Sequence, residues 1–197
     1  MKKTIGFVRT FIPADLFKKE YALGGLTIYH LDEQLNVEMS AYECWECSVR
    51  SGEYAQDEVM AAFEEFKAKL AASELATAKA QKIAEIDAYD TSDAVNSFTL
   101  NGERVWLDFE LRDRVYQGNE RLQRIGRTDT TLWLGKQCYN LSIEQAQNII
   151  SHIEAYAKDC YNVTAAHKKA VSELTTIEEV EKYDITAGYP AQLKMEV

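Results

Sequence analysis

The chain has 197 residues, of which 46% are apolar and 27% charged, which is enough apolar material to bury a core and excludes disorder as a description of the whole. A formal net charge of −10 and an isoelectric point near 4.9 set it against phosphate backbones and anionic lipid, so neither nucleic acid nor membrane is expected as a partner. Lys2 and Lys3 open the sequence, but Arg9, Asp15 and Lys18 interrupt the apolar positions that a signal peptide would need, and no stretch is apolar enough to span a bilayer. The expectation is a cytoplasmic fold whose four cysteines stay reduced.

In chain order, residues 1–54 hold short β-type runs, TIGFV and GGLTIYHL among them, separated by turn signals at Pro13, Gly24-Gly25 and Ser51-Gly52. This predicts a small β-rich head. Residues 55–88 change character: DEVMAAFEEFKAKLAASELATAKAQKIAEIDA contains no Gly or Pro and almost nothing but strong helix formers. One helix of that length extends about 50 Å, more than a small domain covers. Val59, Phe63, Phe66 and Leu70 follow a 4-3-4 spacing along its first half, an apolar seam that thins to alanines before Ile83 and Ile86. Two readings stay open: these four residues are an interface through which the chain self-associates as a homo-oligomer, or the helix is a spacer packed on its own end domains.

From Tyr89 to Val197 β and α signals alternate. SFTLNGERVWLD carries an Asn101-Gly102 hairpin turn and precedes a charged helix at about Phe109 to Arg124. TTLWLGKQCYNLS carries a second turn at Gly135 and ends in Ser142, which with Gln145 forms a capping box for a helix over about 142–162. A further helix is predicted at 164–174, and Thr175 with Glu178 is read as the cap of a last short one. Aligning Gly102 with Gly135 sets Val105-Trp106 against Cys138-Tyr139; Trp106 and Trp133, each in an apolar run of its hairpin, are read as equivalent, so both are expected to fill one core. The fold class is α+β: a β-rich head at 1–54, a long connecting helix at 55–88, and a hairpin-helix-hairpin-helix domain with further helices at 89–197.

The phrases VNSFTLNG, VWLD, TTLW, AYAKDCYNVTAAHK and EEVEKYDITAGYP, spread over about Lys82 to Leu193, resemble a domain of unknown function found in small proteins of phages and prophages of gut bacteria. Proteins with that domain tend to be encoded among tail and tail-fibre genes. The order of a small β head followed by helices and a short Tyr- and Pro-containing end is also similar to tail-fibre assembly proteins. The resemblance implies a structural or chaperone-like role among phage tail or tail-fibre proteins, in the host cytoplasm during assembly or in the virion tail. It supplies no catalytic residue.

The residues themselves offer little chemistry. YECWECSV places Cys44 and Cys47 around Trp45, but Cys138 and Cys160 are twenty-two positions apart and neither belongs to a second ligand pair that would close a zinc tetrahedron. The alternating pattern is that of a strand, in which residues three apart point to opposite faces, whereas a redox pair needs a helix N-terminus. Trp45, Cys47 and Val49 are expected to face a small core, with Cys44 incidental. His30, His152 and His167 lie far apart, and His167 is read as solvated on its helix. Pairs such as Glu64-Glu65 and Asp87-Asp90 suit a solvated acidic face. No GxGxxG or GxxxxGK[ST] occurs, and the acceptor-like Asn140-Leu-Ser142 and Asn162-Val-Thr164 have no consequence without secretion. No catalytic residue, cofactor or metal is expected. The competing reading is a small cytoplasmic enzyme or regulator whose site assembles from dispersed His, Cys and acidic groups.

Overall fold

A computed structural model describes residues 4–13, 20–23, 26–29, 33–36, 41–50 and 56–197, and side-chain surroundings for 6–11, 58 and 61–197. The architecture is α+β, in two compact units, Met1–Glu74 and Leu75–Val197. The boundary falls inside the long helix, so this helix contributes to both units where the sequence suggested a separate connector.

In the first unit, β1 (Thr4–Pro13) pairs antiparallel with β5 (Ala41–Arg50) in an unbroken register from Thr4↔Arg50 to Pro13↔Ala41. Pro13, read as a turn signal, ends β1 instead. β4 (Glu33–Asn36) pairs with the other edge of β5, and β2 (Glu20–Leu23) pairs with β3 (Leu26–Tyr29) as a two-stranded sheet. Cys44 and Cys47 fall within strand β5 as expected, facing Thr10 and Phe7 in the register. Their side chains, those of Trp45, Val49 and Val59, the Gly24-Gly25 and Ser51-Gly52 turns, and His30 lie outside the described residues.

The long helix α1 runs Gln56–Asp90, 35 residues against the expected 55–88. Phe63 is fully buried, and its ring meets Phe7 of β1 at 5.1 Å; Phe66 meets the same ring at 5.2 Å. Leu70 is half-buried. Two members of the seam suggested for self-association, Phe63 and Phe66, thus meet a strand of their own chain. Burial of such rings contributes about 1.5–3 kcal/mol each.

The second unit contains the predicted hairpin-helix-hairpin-helix order. β6 (Phe98–Leu100) and β7 (Glu103–Val105) are joined through Asn101 (φ +49°) and Gly102 (φ +82°), the two left-handed residues that a type I′ hairpin turn requires. Helix α2 spans Phe109–Arg124, as read from the sequence, and Asp108 caps it by accepting from the Leu111 amide at 2.8 Å. β8 (Asp129–Leu134) and β9 (Gln137–Ser142) turn through Gly135 at φ +59°. Ser142 and Gln145 form the expected capping box of α3.

Helix α3 is longer than expected. It runs Ile143–Glu173 without a break, merging the two helices predicted at 142–162 and 164–174. Nothing between them, Asn162-Val-Thr164 included, is strong enough to stop a helix whose buried stripe continues through Tyr156, Cys160, Thr164, His167 and Val171. The last helix, α4, is Ile177–Lys182, and its cap is Thr176 with Glu179, one residue later than the Thr175/Glu178 reading. Both pairs fit the capping pattern; the structure selects the one whose Glu179 carboxylate accepts from the Thr175 and Thr176 amides together. A short β10 (Lys194–Met195) then returns parallel to β6.

The core of this unit lies between the hairpins and α3: Phe98, Leu100, Leu107, Leu132, Leu134, Leu141, Ile149, Ile150 and Ile153. Trp106 packs against it, and also against a neighbouring cluster of Val95, Tyr156 and Cys160. Trp133 does not fill this core: it is 64% exposed, because β8 alternates and buries Leu132 and Leu134 on the opposite face. The two tryptophans are not equivalent, since Trp106 follows the second strand of its hairpin whereas Trp133 sits in the first of its own. The C-terminal part of α1 runs antiparallel to α3, tied to it by Lys79 Nζ donating to the Ser172 carbonyl at 2.7 Å, by a Lys168–Asp87 ion pair, and by Thr164 Oγ1 donating to Asp90 Oδ1 at 2.6 Å.

Candidate functional site

Helices α2 and α3 leave an open groove between them of about 440 Å³, lined by Phe109, Arg112, Asp113 and Tyr116 from one side and Ile150, Ser151 and Glu154 from the other. The spacing explains the lining. Residues 109, 113 and 116 recur at helical intervals of four and three along α2, and 150, 151 and 154 do so along α3. Phe109, in the first turn of α2, stands 68% exposed at the groove although it is fully apolar.

At the base of the groove Arg112 has only 7% of its side chain exposed, yet it is well paired. Its Nε donates to Glu154 Oε2 at 2.7 Å and its Nη1 to the Leu107 carbonyl at 2.5 Å. The guanidinium lies 5.5 Å from the centroid of Trp106 and 6.0 Å from that of Phe109. Glu154 remains 48% exposed, so one partner of the bridge is dry and the other wet. Asp113 is exposed beside them, with no ion-pair partner among the described residues. Of these residues, Phe109 was named from the sequence as the start of its helix and Trp106 as core; the detectable signal for the rest was an arginine sharing the buried stripe of α2 with Val115 and Asn119, where a lone cation needs a partner.

Among the described residues, His152, Cys160 and His167, the groups named for the enzyme alternative, have different surroundings. His152 is exposed, while Cys160, on the same helix, is buried and its thiol is pushed above the ordinary range by that burial. His167, read as solvated, is 8% exposed and is held at both ring nitrogens, Nδ1 to the Tyr183 hydroxyl and Nε2 to the Ala187 carbonyl, each at 2.8 Å. Beside it Thr164 Oγ1 lies 2.8 Å from the Tyr189 hydroxyl, and the His167 and Tyr189 rings stack at 5.6 Å. Burial raises the pKa of both tyrosines. These contacts fasten the segment after α4 to α3, and every polar atom they use is engaged. Among the described residues no group of three or more His, Cys, Asp or Glu is placed to hold a metal ion, and no helix is long and apolar enough to cross a membrane. Glu64 and Glu65 are exposed and paired to Lys67 and Lys69, as a solvated face would be; Asp87 is likewise exposed, but Asp90 is half-buried in its bond from Thr164.

The chain matches no known protein-family model, no curated protein and no solved structure, so the groove stands on its own geometry.

Proposed function

We propose that the chain is a non-enzymatic tail-region protein of a phage or prophage, a structural component or a fibre-assembly chaperone, that works by holding another protein. The resemblance of its C-terminal phrases to a phage and prophage domain supports the setting. The exposed Phe109 at the α2/α3 groove carries the mode of action: a large apolar ring kept in water beside Tyr116, on helices fixed by a packed core, is what a protein-binding surface presents before its partner arrives. The chain then acts in the host cytoplasm during assembly or in the finished tail.

Mass spectrometry and electron microscopy of particles from a host carrying the gene, and from its deletion, test this. A tail component is found in purified particles; a chaperone is absent from them, but particles from the deletion lack fibres. Absence of the protein from particles of the host carrying the gene, together with normal, fibre-bearing particles from the deletion, would overturn the proposal.

A further inference from the structure

We infer that the α2/α3 groove takes a lysine or arginine side chain from its protein partner, an inference that rests on the protein-binding reading and names the chemistry of the occupant. Phe109 and Tyr116 are two helical turns apart, about 10 Å along α2, with Asp113 between them. The arrangement is two aromatic rings flanking a carboxylate, with Ile150 opposite to receive an aliphatic stem and Glu154 adding a second, half-exposed carboxylate.

Charge decides the sign of the ligand. One guanidinium against two carboxylates leaves the lining at −1, and the guanidinium is the group already used, bonded to Glu154 and to the Leu107 carbonyl. Asp113 is the charge left over. The chain shows the same recognition internally, since Arg112 reaches two aromatic rings and one carboxylate at once. A partner's cation at Asp113 would find the same combination of ring faces and carboxylate, while an anionic side chain would face two carboxylates and a compensated arginine.

The test is a ¹H–¹⁵N NMR titration of the full chain with N-acetyl-lysinamide and N-acetyl-argininamide, with the N-acetyl amides of glutamate and leucine as comparators. The cationic amides should shift the signals of residues 109, 113, 116, 151 and 154 with dissociation constants on the order of millimolar. Asp113→Asn, an exposed substitution that keeps the helix, should weaken this roughly three- to fivefold, and Phe109→Ala by a similar factor. A stronger response to the glutamate amide would make the groove an anion site at Arg112. An equal response to the leucine amide would make it an apolar groove without charge selection, and silence with all four would remove the site; each of these overturns the inference. The titration uses no phage component, so its failure leaves the particle-composition result standing, and the reverse holds as well.

Discussion

His167 and Tyr183 share a hydrogen bond whose direction, in the neutral imidazole, is fixed by a third group. The Ala187 carbonyl can only accept, so His167 Nε2 carries the hydrogen that bonds to it, and Nδ1, at 2.8 Å from the Tyr183 hydroxyl, accepts the phenolic hydrogen. A hydrogen on Nε2 is the expected result of a long-range ¹H–¹⁵N experiment; a bare Nε2 with the hydrogen on Nδ1 would contradict the geometry. Tyr183→Phe leaves a buried acceptor unsatisfied and should cost about 1–3 kcal/mol in urea unfolding, with faster hydrogen exchange across residues 183–189.

Arg112 and Glu154 should be asymmetric in mutation. Glu154→Ala leaves the buried guanidinium with the Leu107 carbonyl alone, whereas Arg112→Ala leaves a carboxylate that is half in water already and also empties the space beside Trp106. Because Glu154 is solvated, the figure for a fully buried pair must be discounted, and about 1–3 kcal/mol is expected for Glu154→Ala. A double-mutant cycle read by denaturant unfolding should give a clear coupling energy, and a coupling near zero would show that the bridge is an idle surface contact.

How far the sequence could be read depended on whether a feature was local. The Asn101-Gly102 turn, the α2 limits and the Ser142/Gln145 box depend on residues within four positions of one another, and all three were legible. Trp133 was misread because it was matched to Trp106 as a member of an apolar run without following the strand alternation, which puts Leu132 and Leu134 inward on either side of it. His167 was misread although its signal was present: Tyr156, Cys160, Thr164, His167 and Val171 form a 4-4-3-4 stripe, but two polar residues on it disguised a buried face. The groove was not legible, since Phe109 and Arg112 meet Ile150 and Glu154 only by tertiary packing across some forty residues of chain.

The two tryptophans of the second unit now separate. Trp106→Ala should cost about 3 kcal/mol, at the low end for a buried aromatic because Trp106 is only partly covered, while Trp133→Ala should stay within about 0.5 kcal/mol of wild type. In variants retaining one tryptophan each, iodide should quench Trp133 freely and Trp106 weakly. Equal quenching would place Trp133 back in the core.

Cys160 and Tyr156 predict behaviour at high pH. Burial and the neighbouring Cys160 raise the phenol of Tyr156, whose hydroxyl donates to the Val95 carbonyl at 3.1 Å, and burial raises the Cys160 thiol. Both groups are neutral in their protonated forms, so their raised pKa values stabilise the fold fully below the ordinary values, near 8.5 for a thiol and 10 for a phenol, and this stabilisation is lost as pH climbs through the folded-state values. Thermal midpoints should therefore decline above about pH 9, with the decline reduced in Cys160→Ala. At neutral pH a thiol reagent followed by peptide mapping should label the exposed Cys138 well before Cys160; simultaneous labelling would mean that this cluster opens readily.

Substitution of Phe63 separates the two readings of the long helix. Its ring is fully buried against Phe7 and next to Phe66, and Lys67 Nζ lies 4.8 Å from the ring centroid, which are contacts within its own chain. Phe63→Ala should cost the first unit about 3–5 kcal/mol, as for other buried aromatics, which is enough to unfold a small head. Because the second unit has a separate core, its near-ultraviolet circular dichroism and the amide signals of residues 98–171 should survive the substitution. An interchain seam gives a different pattern: Phe63→Ala would lower the mass seen in sedimentation equilibrium while both units stayed folded. Loss of head signals at unchanged mass is the outcome that the Phe7 contact requires.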